Sequence, residues 1–116
     1  MYLKPGFFIK TVTTAGTAER LTDSKLRPVW VRIQPEDDNT VPMYIGDSQV
    51  SATNGLELNI DLNDTTDIQS AKYIEFGSTM PGAIPISLRD IWVDTGNAGE
   101  GVEVFYLERA ENEDSL

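Results

Sequence analysis

Residues 29–34 read VWVRIQ, and the alternation of side chains in this stretch decides the fold class. One side of the extended chain carries three β-branched residues: Val29, Val31 and Ile33. The other side carries Trp30, Arg32 and Gln34. Successive side chains of a β-strand point to opposite faces, so the first set is predicted to face the core. Because Trp30 belongs to the second set, the strand has a large apolar side chain on its other face as well.

Outward from this strand, the chain consists of short alternating or continuous apolar runs separated by Gly, Pro, Asn and Asp, without helical periodicity. The predicted strands span residues 7–14, 17–21, 29–34, 41–47, 56–62, 72–76, 86–94 and 102–109. The fifth of them alternates strictly, which places Leu56, Leu58, Ile60 and Leu62 on one side. The pattern predicts an all-β chain folded as an antiparallel β-sandwich, jelly-roll-like, with seven or eight short strands.

The chain is predicted to form one domain with a short extension at each end. Residues 1–6 are expected to be an N-terminal arm, because a Pro-Gly pair interrupts any regular element there. Residues 7–109 are the β-sandwich domain. Residues 110–116 are an acidic tail, too polar to pack and expected to be flexible.

The composition excludes several kinds of chemistry. The 116 residues contain no cysteine and no histidine, which excludes disulfides, thiolate nucleophiles and metal sites built on those side chains. The formal charge is −10, so affinity for nucleic acid is not expected. No run is apolar and long enough to span a membrane, and the N-terminus lacks the apolar core of a signal peptide. We therefore expect a non-enzymatic protein without cofactors, located in a cytoplasm or in a particle assembled there.

The charge is unevenly spread along the chain. Residues 1–32 have a net charge of +4, and residues 33–116 have a net charge of −14. One interpretation is that the basic N-terminal part docks onto an acidic neighbour, such as the next copy of the same protein. The other is that strands from both segments interleave in the fold, so that the asymmetry disappears in space.

Residues 96–101 read GNAGEG, with glycines spaced as in a phosphate-binding loop, G-x-x-x-x-G. Such a loop continues with Lys and then Ser or Thr at the start of a helix. Here Val102 and Glu103 follow, and a β pattern continues from them. Nucleotide binding is therefore not expected. The loop is predicted to join the last two strands as a hairpin, with Glu100 displayed to solvent or to a neighbour.

The acidic stretch DLNDTTD (61–67) is the best candidate for a metal site. Four of its residues alternate as the ligands of a calcium loop do: Asp61, Asn63, Thr65 and Asp67. However, Thr66 stands where that loop needs glycine, and Lys72 stands where it needs glutamate. The sequence favours a solvated acidic loop over a calcium site, and no metal site is predicted.

Aromatic residues are the candidates for binding a partner. Trp30, Trp92 and Phe105 lie on the faces opposite to the β-branched residues of their strands. Such strands can be covered on both faces within the fold, can reserve one face for a partner protein, or can offer a stacking platform for sugars. The predicted partner-binding residues are Tyr2, Leu3, Phe7, Phe8, Trp30 and Trp92. The first four would insert from the arm into a neighbour; alternatively, Phe7 and Phe8 begin the first core strand.

Three phrases of the chain together resemble a group of small tailed-bacteriophage proteins. They are TVTTAGTAERL (11–21), VWVRIQPEDDNTVPMYIGDSQVSATNG (29–55) and LRDIWVDTGNAGEGVEVFYL (88–107). The resemblance spans about residues 11–107 and consists of turn and strand phrases with no catalytic signature. The middle segment, residues 58–78, departs from the shorter connection of that group.

The resemblance implies a virion structural component, above all a capsid decoration (cement) protein. Such a protein would have a jelly-roll-like sandwich, would commonly be a homotrimer, and would bind the major capsid protein at junctions between its subunits. No cofactor site is implied. The alternatives are a carbohydrate-binding module of the virion that adheres to the host, and a component of the tail or neck.

Overall fold

The computed structural model describes residues 2–59 and 72–110, and these form eight β-strands. The strands are β1 (Tyr2–Thr11), β2 (Glu19–Arg20), β3 (Trp30–Pro35), β4 (Met43–Gly46), β5 (Leu56–Leu58), β6 (Ile74–Gly77), β7 (Trp92–Thr95) and β8 (Gly101–Ala110). A single 3-10 turn at Leu88–Asp90 precedes β7. The eight segments expected from the sequence each overlap one of these strands, although their bounds differ.

The strands form two four-stranded antiparallel sheets, in the orders β1-β8-β3-β6 and β2-β7-β4-β5. The first strand pairs with the last, the second with the seventh, the third with the sixth and the fourth with the fifth. A single long hairpin would give the same four pairs, and rolling it up adds the pairs β3·β8 and β4·β7. This is the topology of a jelly roll, so the predicted fold class is confirmed.

The core lies between the inner faces of the two sheets. In β3 the side chains alternate between partly buried and buried, as the VWVRIQ pattern predicted. The core cluster contains Val12, Leu21, Val31, Ile33, Met43, Ile45, Leu58, Leu88, Val93, Val102 and Val104. Each of these aliphatic side chains contributes about 1.5–3 kcal/mol by leaving water. The core therefore fixes which face of each sheet remains outside.

The expected arm is not separate from the sandwich, because residues 2–6 form the first half of β1 and pair with β8. Pro5 lies opposite Leu107, whose carbonyl accepts a hydrogen bond from Val29 N–H at 2.9 Å and so points away from β1. Proline therefore costs no ladder bond at this position. Gly6 lies under the ring of Tyr106, which would overlap any Cβ there. The Pro-Gly pair fits the strand where it was expected to break it.

Other predicted bounds also need correction. The last but one strand begins at Trp92 rather than 86, because the chain forms the 3-10 turn first. Leu58 is buried, but Leu56, on the same side of β5, is 51% exposed, and β5 ends its sheet in the described part of the chain. Ile60 and Leu62, predicted on that side as well, lie outside the described residues. Ala110, expected in the tail, ends β8. The rest of the tail and the acidic stretch 61–67 lie outside the described residues.

The linear charge asymmetry is interleaved in the fold. In the first sheet β1 and β3, from the basic part of the sequence, alternate with β8 and β6, from the acidic part. The interpretation of a separate basic docking segment is therefore wrong for these strands.

Candidate functional site

The solvent side of the β1-β8-β3-β6 sheet carries a group of large apolar side chains, which we call the outer aromatic face. Its members are Leu3, Phe7, Ile9, Trp30, Tyr73 and Phe105. Phe7 is 56% exposed, Ile9 51%, Tyr73 44% and Phe105 41%. The strand register brings them together, since Phe7 lies directly opposite Phe105. Exposed apolar side chains that are contiguous in this way mark interaction surfaces more often than scattered ones do.

Two aromatic residues at the centre of this face hold each other in place. The rings of Trp30 and Phe105 meet edge to face, with centroids 6.0 Å apart and an angle of 74° between their planes. Such aromatic pairs are stabilised by about 0.5–1.5 kcal/mol beyond their burial. The centre of the face is therefore ordered before any partner arrives, which lowers the entropic cost of binding.

Arg32 lies beside this centre, directly opposite Phe105 on the neighbouring strand. Its guanidinium carbon is 4.0 Å from the centroid of the Tyr73 ring. Its Nη1 atom is 3.8 Å from Glu75 Oε1, and both side chains are about 40% exposed. A pair this long and this exposed contributes little to stability. Arg32 is thus stacked rather than tightly paired, and aromatic and arginine side chains are the types enriched in binding hot spots.

The outer aromatic face has no net charge, although the chain carries −10. The strand register places four charged side chains on this side of the sheet, two basic and two acidic: Arg32, Arg109, Glu75 and Glu103. Arg109 donates from Nη2 to the Ala83 carbonyl at 2.9 Å. The four strands of this sheet therefore contribute equal numbers of acidic and basic side chains to this face.

The structure brings three of the six predicted partner-binding residues onto this face: Leu3, Phe7 and Trp30. Phe8 points to the inner side of β1 and packs against the core and the Tyr106 ring, with centroids 6.0 Å apart. Placing it in a partner-binding site is wrong, because strand alternation sends it opposite to Phe7. Tyr2 lies on the same side of β1 as Phe8, at the end of the strand.

Trp92 belongs to the other sheet, so it does not join the outer aromatic face. The guanidinium carbon of Arg20 lies 5.2 Å from the centroid of its ring. A ring covered by its own protein's arginine is not an open platform on which a sugar could stack. The predicted sites on Trp30 and Trp92 are therefore two separate surfaces.

The prediction missed Ile9, Tyr73 and Phe105. For Phe105 and Ile9 a signal was present, because both alternate with inward-facing residues of their strands. What the sequence could not show is that β1 and β8 are neighbours, so that the two outward faces become one surface. Tyr73 immediately precedes β6, and its place depends on the pairing of β6 with β3.

The GNAGEG segment does not form a hairpin, because β7 and β8 belong to different sheets. Glu100 is also not displayed to solvent. Its carboxylate accepts hydrogen bonds from the N–H and hydroxyl groups of Thr40, from Val41 N–H at 3.0 Å and from Asn97 Nδ2 at 2.9 Å. Partial burial acts to raise the pKa of Glu100, but these hydrogen bonds outweigh it and lower the pKa. The GNAGEG segment therefore has a structural role, because it joins residues 36–41 by hydrogen bonds to the connection between β7 and β8.

Glu19 closes a second loop in the same way. Its carboxylate accepts hydrogen bonds from the N–H groups of Thr13 and Thr14, at 3.0 and 2.8 Å, and from Lys10 Nζ at 2.9 Å. Partial burial acts to raise its pKa, but the bonds from Lys10 and the two threonines lower it from 4.5 to about 2. Both bound carboxylates therefore serve the fold and are not free for acid–base chemistry.

Across 2–59 and 72–110, no group of three or more acidic side chains is arranged to hold a metal ion. Within these ranges no helix is long and apolar enough to cross a membrane. The outer aromatic face contains two open depressions, and Arg32 and Gln34 line both of them. Tyr73 lines the first depression, and Phe7 lines the second. The arrangement can bind a surface by apolar contact and by hydrogen bonds from Arg32.

Comparison of the chain with models of protein families, with curated proteins and with solved structures gave no match.

Proposed function

We propose that this protein is a non-enzymatic structural protein of a bacteriophage virion, a capsid decoration protein that binds the assembled shell through its outer aromatic face. The single observation that carries the binding mode is the contiguous apolar surface around Phe7, Trp30 and Phe105, with no net charge on a chain of −10. The phage assignment rests on the resemblance of residues 11–107 to small phage proteins.

The size of the face agrees with such a role. Each residue of a sheet covers about 16 Å² in projection, from a rise of about 3.3 Å and a strand spacing of about 4.8 Å. The four strands of this sheet, two of them ten residues long, then present roughly 500 Å² in projection. A standard interface buries about 800 Å² of accessible surface per partner, and the accessible surface of a corrugated face exceeds its projection. One face of one copy therefore gives a modest interface, which many copies on a shell would multiply.

The charge distribution suits a protein that is made first and docks later. Strong net negative charge keeps free copies soluble and apart before assembly. The neutral apolar face is then the part that can approach a shell without bringing that charge into the interface. On the shell, a copy that spans a subunit junction adds contacts that must break before the subunits separate, and this stabilises the head.

The first experiment measures copy number and location. A decoration protein is present in a fixed, high ratio to the major capsid protein and binds empty, expanded heads, as quantitative gels and cosedimentation would show. A handful of copies per particle would contradict the decoration role and favour the tail or neck. Binding to a glycan array without binding to heads would favour host adhesion.

The second experiment tests the face itself. Phe105→Ser removes a central aromatic side chain, and truncating such a residue costs about 2 kcal/mol or more, roughly a 30-fold loss of affinity for heads. Leu56→Ser is the matched control, since Leu56 is 51% exposed but lies on the other sheet. Equal affinities of the two variants would refute docking through the outer aromatic face.

A further inference from the structure

Among the described residues no strand pairs with the outer edge of β1, and the hydrogen bonds on its other side identify the residues whose backbone groups lie at that edge. Val12 N–H donates to the Glu100 carbonyl at 2.9 Å, so Val12 faces β8. Backbone direction alternates along a strand, so Lys4, Phe8 and Lys10 also face β8. The residues that direct their N–H and C=O groups to the open edge are therefore Leu3, Phe7, Ile9 and Thr11, together with Pro5, which has a C=O group only. In the described part of the chain β1 ends its sheet.

Half of this edge is unprotected against pairing with another strand. Natural proteins blunt edge strands with lysine, proline, bulges or very short strands. β1 is ten residues long, its Pro5 protects the N-terminal half, and Lys10 is neutralised by Glu19 at 2.9 Å. Between Phe7 and Thr11 every second residue directs its backbone groups to the edge, and the side chains of two of them, Phe7 and Ile9, are more than half exposed. Such a segment pairs readily with a second extended strand.

We propose that the occupant of this edge is a second copy of the chain, with the two β1 strands pairing antiparallel about a two-fold axis at Phe8. The result is one continuous eight-stranded sheet. This inference does not depend on the partner being a capsid, because it concerns only copies of this protein.

The choice of axis follows from the sequence of β1. With the axis at Phe8, Phe7 of each copy lies opposite Ile9 of the other, and each such pair of outward residues exchanges two backbone hydrogen bonds. An axis at Phe7 would place Pro5 opposite Ile9, so that a missing N–H would lie directly beside the central pair on both sides. An axis at Gly6 would place Pro5 opposite Phe7, so that the missing N–H would fall at the centre of the ladder.

Pairing about Phe8 also joins the two outer aromatic faces. Phe7 and Ile9 are more than half exposed in one copy, and in the pair they form a four-residue apolar cluster across the new junction. Aromatic and β-branched residues that lie opposite each other across two strands stabilise the pairing. The dimer thus offers one surface of twice the width, with no added charge at its centre.

The test is the solution mass together with amide exchange. In sedimentation velocity from micromolar to submillimolar concentration, the protein should reach twice its chain mass of 12.8 kDa. In the dimer the amides of Phe7, Ile9 and Thr11 should exchange with deuterium as slowly as those of Phe8 and Lys10. A monomer at all concentrations, a mass three times that of the chain, or rapid exchange at Phe7, Ile9 and Thr11 in the dimer would overturn the proposal.

Variants separate this edge from other contacts. Ile9→Pro removes an outward N–H but no bond to β8, so it should return the protein to a folded monomer. Leu56→Ser, on the free edge of β5, should leave the dimer intact. If Ile9→Pro fails to fold, the exchange pattern of the unmodified protein still decides the matter. If Phe105→Ser dissolves the dimer, the two copies associate face to face and edge pairing is refuted. If Phe105→Ser abolishes binding to heads but leaves the dimer intact, the result concerns only the proposed function.

Discussion

Replacing Glu19 with glutamine should destabilise the protein at neutral pH and should do so less as the pH falls. The side chain of Glu19 is 16% exposed, and its two oxygens accept bonds from Lys10, Thr13 and Thr14. In the variant one of these oxygens becomes an NH₂ group, which cannot accept the hydrogen bonds that the surrounding donors offer. Removing one partner from such a network costs the desolvation of the groups left behind.

The magnitude follows from the pKa of Glu19, which the fold lowers from 4.5 to about 2. At about 1.4 kcal/mol per pKa unit, the ionised carboxylate contributes about 3 kcal/mol to the free energy of unfolding, and about 2 kcal/mol after allowing for its residual contact with solvent. Because the folded pKa is the lower one, this contribution is fully present above pH 4.5 and is lost as the pH falls toward 2.

Urea denaturation of both proteins at pH 7 and at pH 3 measures this contribution. We expect a difference of about 2 kcal/mol at pH 7 and a clearly smaller one at pH 3. Glu75→Gln is the matched control: Glu75 is 41% exposed and 3.8 Å from Arg32, and such exposed pairs contribute about 0–1 kcal/mol. A Glu19→Gln difference that is the same at both pH values would refute the role given to the ionised carboxylate.

Three further predictions concern stability, and chemical denaturation measures each of them. Gly77→Ala should destabilise the protein by more than about 2 kcal/mol, because φ is +92° and the Val29 carbonyl occupies the place of a Cβ; Gly82→Ala, at φ +84° with open space, should cost only about 1–2 kcal/mol. Equal losses would show that the contact with Val29 is absent. Met43→Ala removes a fully buried side chain and should cost about 2–5 kcal/mol; a loss below about 1 kcal/mol would contradict its place in the core. Phe105→Ser should lower the free energy of unfolding by about 1–3 kcal/mol, because it removes the ring pair with Trp30 and the buried part of the Phe105 side chain, whereas a variant that fails to fold would show that Phe105 is structural rather than a docking residue.

The sequence predicted the fold to the extent that local alternation determines it. The runs around Val31, Ile33 and Met43 were placed correctly, because period-two patterning directly records which side chains leave water. Pairing between distant strands is not recorded in that way. The β1–β8 pair, which turns the expected arm into a strand and unites Phe7 with Phe105, joins the two ends of the chain.

The hydrogen-bond partners of polar side chains were also difficult to predict from the sequence. Glu100 looks like a solvated acid in the sequence, because Thr40 and Val41 are distant in the chain. Glu19 lies within nine residues of its partners, but the sequence does not show that the chain folds back on itself there. In the fold Glu100 receives its bonds from Thr40 and Val41, about sixty residues away. The jelly-roll crossover between β7 and β8 brings these loops together, and hydrogen bonds of this kind can be assigned only after the topology is known.

The two tryptophans provide the most direct measurement of where the protein docks, because each lies on a different sheet. Oxidative footprinting of the protein, free and bound to empty heads, would compare the reactivity of Trp30 with that of Trp92. Docking through the outer aromatic face predicts that binding protects Trp30 and Phe105 and leaves Trp92 unchanged. Protection of Trp92 with Trp30 and Phe105 still reactive would contradict it and would place the interface on the opposite sheet.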